Sequence, residues 1–505
     1  MGLFLIIIIT IITFYTLYNL FTKKHQYSTL PPGPSPSPLF GNLLTLKQQE
    51  RWETKFIEWT EKYGPVYTYW LGPLPIVAIN EYNLAHKYFV QNGDVFDGRM
   101  YRPELCKIVR GGQYGLIDTH GEVWSQQRRF AIRTLRDFGF GKNKMEQMIL
   151  AEFEAMCTRL NEALEKSDAQ AEHDIESFTD LAVGSVINSM LCGFRFTENN
   201  REQQFARLKA ITTKAIQLVI SEGPGLVLNN LWLLNVPIIG RPGRETIDTF
   251  KLIFDYIDQV IRDHLDRNDY SQEFEPQSFI DAYLLEIERR KRNGDGDNFS
   301  VKQLRNVCFD LWIAGQETSS TSMTWAVAYL IRYPEAQKRI QKELDSVINE
   351  DRLVTMADRA KLPYIQAVIM EIQRCSNVAG QNIPHTVTED TYVEGYLLPK
   401  GTITVPQISV MMMDPKVFPD PHKFNPDRFL DVDGNFVPKA EHIPFSLGKR
   451  QCVGEPLGRM EVFLFVANLC NQYEFSAGAT PPTLKKIGGN ATVTEPFKCV
   501  IRKRK

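Results

Sequence analysis

Cysteine pairs at metal or redox spacing are missing from this 505-residue chain: its eight cysteines, at positions 106, 157, 192, 308, 375, 452, 470 and 499, are scattered and none forms C-x-x-C. That excludes a compact disulfide framework and a zinc-finger cluster, and it suits a reducing compartment where thiols stay free. An excess of charge is missing too. Lys and Arg total 58 against 60 Asp and Glu, a formal net charge of -2, so no global basic field marks nucleic acid as a partner. There is no internal repeat and no flavin or nicotinamide fingerprint. Gly111-Gly112-Gln113-Tyr114-Gly115 has no Lys-Ser/Thr after it and is not a phosphate cradle. Asp137-Phe138-Gly139 lacks every companion motif of a kinase and reads as the end of a helix that starts near Trp124. Lys291 to Asn298 is polar, but the Gly and closing Glu of an EF-hand are misplaced, which leaves an exposed loop. With 43% hydrophobic and 23% charged residues, what remains is an ordinary globular composition, long enough to bury a large core.

Long apolar runs are scarce as well, and the one of membrane-spanning length stands at the start. Leu3 to Phe21 carries no charge and approaches the ~20 residues needed to cross a bilayer. Lys23 and Lys24 follow it, the reverse of a cleaved signal, whose cations precede the apolar run. Residues 1–24 are therefore expected to be a transmembrane signal anchor, with the body on the cytoplasmic side by the positive-inside rule. The sequons at Asn298 and Asn490 are then chance matches. Residues 25–47 include Leu30-Pro31-Pro32-Gly33-Pro34-Ser35-Pro36-Ser37-Pro38, a proline-rich hinge that neither helix nor central strand accommodates. No comparable linker occurs later, so 48–505 reads as one domain. A second apolar stretch, Leu226 to Ile239, is broken by Asn229, Asn230 and Pro237. It is either core or a segment that dips into the membrane surface.

Helical periodicity predicts long helices over 143–165, 246–266, 301–331 and 334–349, with short strands at Val66–Leu71, Ile76–Ile79 and Thr402–Val405. The fold class is mainly α with small β-sheet content, in one large domain behind the anchor.

One cysteine has an unusual setting. Cys452 lies in Phe445-Ser446-Leu447-Gly448-Lys449-Arg450-Gln451-Cys452-Val453-Gly454, with cations and glycines before a helical pattern from Glu455 to Cys470. Nearby cations, amides freed by glycine and a helix N-terminus all favour a thiolate. No second Cys or His stands at zinc spacing, and a lone thiolate suits haem iron.

The ten residues resemble the haem-binding signature of the cytochrome P450 family, F-x-x-G-x-R-x-C-x-G, at every fixed position. Four further motifs extend the resemblance. Glu371-Ile372-Gln373-Arg374 is similar to E-x-x-R, and Phe424-Asn425-Pro426-Asp427-Arg428-Phe429 to the element whose arginine, here Arg428, locks onto the Glu-Arg pair. Trp124 and Arg128 match W-x-x-x-R. Ala314-Gly315-Gln316-Glu317-Thr318 resembles A-G-x-D/E-T, a motif that explains a mid-helix glycine costing ~1 kcal/mol; Glu in place of Asp keeps the carboxylate.

The resemblance implies a cytochrome P450-like fold binding haem b, with Cys452 as axial ligand and Phe445 and Gly448 shaping its loop. Trp124, Arg128, Arg450, His385 and Arg99 would face the propionates. Thr318 and Glu317 would handle protons for oxygen activation, although a helical Thr can simply bond its own i−4 carbonyl. The implied activity is a monooxygenase acting on a small lipophilic substrate of the xenobiotic, steroid or fatty acid class. Its electrons would come from NADPH through cytochrome P450 reductase, with cytochrome b5 left open as a second donor. Arg129, Arg133, Arg136, Lys142 and Lys144 form a basic run that an acidic docking face could meet. The location implied is the endoplasmic reticulum membrane, with the pocket drawing on 99–118, 205–240, 310–318, 376–384 and 486–493. Two alternatives are a haem-thiolate isomerase or dehydratase and a non-catalytic haem ligand binder; the Glu317-Thr318 pair speaks against both.

Overall fold

The computed structural model describes residues 28–505 apart from 38–39, 49–50, 140–142, 169, 221–226, 229–230, 297, 349–351, 488–491 and 505. The anchor expected over 1–24 lies outside these residues. Among the described residues no helix is long and apolar enough to cross a membrane.

The 32-residue helix Val301–Arg332 runs through the middle of the molecule. Ser300 caps it by accepting from the Gln303 amide, which satisfies an amide that the first turn leaves unpaired. Most of its residues are buried, apolar and polar alike, as expected of a core element. Around it pack Ile175–Cys192, capped by Asp174 and closed by Gly193 in the left-handed region, together with Pro363–Ser376 and Glu455–Gln472. Asn143–Glu165 closes the same core from outside. The helices expected at 143–165, 301–331 and 334–349 are present within a residue or two, and that expected at 246–266 begins earlier, at Arg241. Phe279–Arg292 reaches into the polar stretch at 291–298, so the loop there starts at Asn293.

Among the described residues the β-structure is divided among three small sheets. In the largest, Val66–Leu71 pairs antiparallel with Leu74–Ile79, which pairs parallel with Ile403–Pro406, and His385–Thr386 completes the row. The two-residue strands are too short to show an alternating pattern, which is why the sequence did not announce them. The proline-rich segment lies on this sheet: Thr68 N–H donates to the Pro32 carbonyl, and a Cβ at Gly33 would sit 1.9 Å from the Thr68 carbonyl oxygen.

Among the described residues of the 226–239 stretch, some are core and others are exposed. Val227 is 1% exposed and packs against Gly243, whereas Trp232 and Ile238 are 68% and 86% exposed.

A buried charge cluster ties the helices to the segment that leads into the cysteine loop. Glu371 and Arg374, one turn apart on Pro363–Ser376, are both fully buried and joined by two hydrogen bonds of 2.7 and 2.8 Å. Glu371 also accepts from Arg428 Nε at 3.0 Å and from the Asn425 amide at 2.9 Å, while Arg374 reaches the Met412 carbonyl. A carboxylate with four donors is satisfied; its two arginines depend on it. Glu371→Ala leaves two guanidiniums buried and unpaired and is expected to destabilise the fold by about 3–5 kcal/mol. Denaturant midpoints measure this, and a midpoint within error of the parent's would contradict it.

Candidate functional site

The cysteine loop is shaped by two backbone constraints. Gly448 has φ +76°, and a Cβ there would lie 2.0 Å from the Phe89 carbonyl oxygen, so no other residue fits. The Cys452 amide donates to the Phe445 carbonyl at 3.0 Å, closing the loop just before the helix that begins at Glu455 with Pro456 in its first turn. The Phe445 ring meets Arg459 at 5.0 Å and the backbone of Gly458.

All eight cysteines are free. Cys452 is exposed, whereas six others are buried and Cys106 is half-buried. Burial pushes the Cys452 thiol above its ordinary value, and the Gly454 and Glu455 amides and the Arg128 charge pull the other way. The sulfur is thus open to a partner yet enclosed by protein, and a metal ion would hold it as thiolate. The cations next to it in sequence point elsewhere. Lys449 pairs with Asp94, and Arg450 donates to the carbonyls of Asp97, Leu116 and Thr119. The nearby charge comes instead from Arg128, whose Nη2 donates to the Gln451 carbonyl at 2.6 Å.

Around that loop three guanidiniums crowd together. Arg450 is held well below the ordinary arginine value by burial and by Arg99 and Arg128, with only Asp97 opposing. Burial also lowers Arg99, whose Nε is buried without a partner and whose Nη1 donates to the Pro384 carbonyl at 2.8 Å. Arg450 lies 3.7 Å from the centre of the buried Trp124 ring, and Arg128 lies 5.8 Å from it. His385 Nδ1 donates to the Phe96 carbonyl at 2.6 Å. Burial, Arg99 and Arg450 keep its ring neutral, so with the proton on Nδ1 the Nε2 atom is an acceptor. An under-compensated cation cluster beside an exposed thiol fits haem, whose two propionates supply the missing negative charge.

On the central helix, Ala314 and Thr318 are exposed although the helix around them is mostly buried. A Cβ on Gly315 would strike Ile187 at 2.6 Å, so the mid-helix glycine permits close packing on the opposite side. Thr318 Oγ1 donates to the Ala314 carbonyl at 2.6 Å; the local i−4 bond is therefore made, with the hydroxyl lone pairs still free to accept. Glu317 accepts from Lys209 Nζ on both oxygens at 3.1 Å, and Lys209 also meets Asp180 at 3.2 Å. Burial raises the Glu317 carboxyl above its ordinary value, and Lys209 opposes that shift. No motif pointed to Lys209: it sits in an ordinary amphipathic helix, Glu202–Ile220, and only the packing brings it to Glu317.

Four members of the basic run, Arg129, Arg133, Arg136 and Lys144, are exposed. The three arginines share one face of helix Gly121–Asp137, at i, i+4 and i+7. Lys142 lies outside the described residues.

Comparison with known proteins agrees with this geometry. The model of the family described as Cytochrome P450 matches residues 31–500. Cytochrome P450 2C23 of Rattus norvegicus is 36% identical over 468 residues, covering 92% of this chain and 91% of that protein. Cytochrome P450 2B19 of Mus musculus is 35% identical with the same coverage. Cytochrome P450 2H1 of Gallus gallus is 34% identical over 459 residues, 88% of this chain and 87% of that protein. With its signature cysteine exposed at the head of a helix and its family matched along nearly its whole length, this chain belongs to the cytochrome P450 family.

Proposed function

We propose that this cytochrome P450 is a haem-thiolate monooxygenase that places one oxygen atom of O2 in a small lipophilic molecule of the xenobiotic, steroid or fatty acid class. Electrons come from NADPH through cytochrome P450 reductase, and the second oxygen atom leaves as water. The observation that carries the reading is the exposed Cys452 thiol beside three guanidiniums short of negative charge. Cys452 would be the axial ligand, with Phe445 and Gly448 holding its loop, and Arg99, Trp124, Arg128, His385 and Arg450 would hold the propionates. When bound, haem supplies the redox activation of dioxygen, and the electron-rich sulfur favours O–O cleavage.

The chain's own residues would manage the protons. Glu317 is the acid: burial keeps its carboxyl protonated to higher pH than in water, with Lys209 opposing the shift, and a raised carboxyl suits a proton donor. Thr318 Oγ1 accepts and passes the proton toward the exposed face of the helix. Exposed Arg129, Arg133, Arg136 and Lys144 form the face for an acidic electron donor. Residues 1–24 would anchor the chain in the endoplasmic reticulum membrane and 25–47 would join them to the catalytic domain at 48–505, on the cytoplasmic side. The exposed Trp232 and Ile238 would touch the same membrane.

Two experiments bear on these roles. Cys452→Ser is expected to abolish the absorption band characteristic of thiolate-ligated haem in the reduced carbon monoxide complex, and a variant that kept the band would sink the ligand assignment. Glu317→Gln is expected to lower product formation by about 10²-fold at pH 7 while NADPH oxidation falls less. In the parent, product formation declines as pH rises through the raised Glu317 value, because the protonated donor is lost. That limb should vanish in the variant, and a pH profile of unchanged shape would remove Glu317 from the relay.

A further inference from the structure

Two residues that are not glycine hold positive φ and touch each other beside the cysteine loop. Ser446, the second residue of the signature, has φ +65°, and Asn382 has φ +67°. With a side chain present this conformation crowds the Cβ against its own backbone; Asn visits it readily and Ser seldom does. Such a backbone persists only where its surroundings over-determine it. At Ser446 one constraint is the amide, which donates to the Ile443 carbonyl at 3.0 Å. The other is the side chain, whose Oγ accepts from Asn382 Nδ2 at 2.8 Å.

The Asn382 side chain is fixed at both ends. Its Oδ1 accepts from the Ile383 amide at 2.8 Å. That amide can only donate, so Nδ2 is the atom turned to Ser446. The same Nδ2 lies 3.4 Å from the carbonyl of Pro406, the last residue of a strand in the largest sheet. The Asn382 amide in turn donates to the Ala379 carbonyl at 2.9 Å. A side chain held by its own backbone and by a sheet has little freedom to follow Ser446, so Ser446 follows it.

These bonds join the two halves of the site. On one side, Arg99 Nη1 donates to the Pro384 and Ile383 carbonyls at 2.8 and 3.4 Å, and His385 is next in the chain. On the other, the φ of Ser446 sets the tilt of the planar peptide that carries the Phe445 carbonyl. That carbonyl is the one that receives the Cys452 amide and closes the loop. A run of hydrogen bonds therefore leads from the cation cluster, through Ile383 and Asn382, to the peptide that orients the cysteine.

We infer that Asn382 is a positioning residue for the Cys452 thiolate: its amide keeps Ser446 at positive φ and holds the loop in register with the cation cluster. The inference rests on the haem-thiolate reading above, and its test needs no turnover.

The test follows the thiolate band of the reduced carbon monoxide complex at a fixed temperature below unfolding, with haem content measured alongside. Asn382→Gly keeps positive φ open but removes the bond, and Ser446→Ala removes the bond but keeps the strain. Each is expected to lose the band about fivefold faster than the parent, the net worth of one hydrogen bond, while haem stays bound. The double variant should lose it no faster than either single, because both substitutions remove the same interaction. Ser446→Gly removes the strain with the bond and should fall between the parent and Ser446→Ala. Decay at the parent's rate, a double variant whose effects multiply, or a band lost in step with the haem itself would overturn the role of Asn382. A parent that never shows the band would overturn the haem-thiolate reading, and the inference with it.

Discussion

The carboxylate of Glu371 accepts from Arg374, Arg428 and the Asn425 amide in a place water does not reach. Removing water from three charges is costly, and only near-complete pairing offsets it. That requirement makes the cluster a geometric constraint as much as an energetic one. Arg428 can reach Glu371 only if the segment around 424–430 lies against the helix Pro363–Ser376. The chain from there must then run through 436–442 to the loop that ends at Cys452. The position of the thiol is inherited from an ion pair some eighty residues earlier in the sequence.

Electrostatics divides the interior into two kinds of site. At Glu371 each charge meets its complement. Around Arg99, Arg128 and Arg450 positive charge gathers with too little to oppose it. A folded protein tolerates such an imbalance when a bound anion completes it. The central helix shows the third arrangement, a carboxyl whose value burial raises and a lysine lowers. Burial and the Lys209 contact act on Glu317 in opposite directions, whereas at Glu371 the pairing is complete.

Much of this was legible in advance where local chemistry is distinctive. The long helices followed from apolar periodicity, and the cysteine loop from its glycines and its ten-residue signature. Gly448 could be read as part of that signature, while its left-handed turn against the Phe89 carbonyl came only from the fold. Lys209 could not be read, since a lysine in an amphipathic helix is ordinary until its helix is laid across Glu317. Lys449 and Arg450 misled for the complementary reason: adjacency in sequence suggested that they support the sulfur, while the fold directs them to Asp94 and to the loop carbonyls at 97, 116 and 119. The two-residue strands were hidden because alternation needs more length than they have.

What the sequence determined by itself is therefore the local part: helix spans, the turn at Gly448, the identity of the candidate ligand and the residue types able to handle protons. Those properties depend on neighbours a few residues apart, and one chain segment contains them whole. What only the tertiary structure decided is which charges share a space. Coulomb interactions in a low-dielectric interior depend on distance through space, and it is packing that brings residues 99, 128 and 450 within reach of one another.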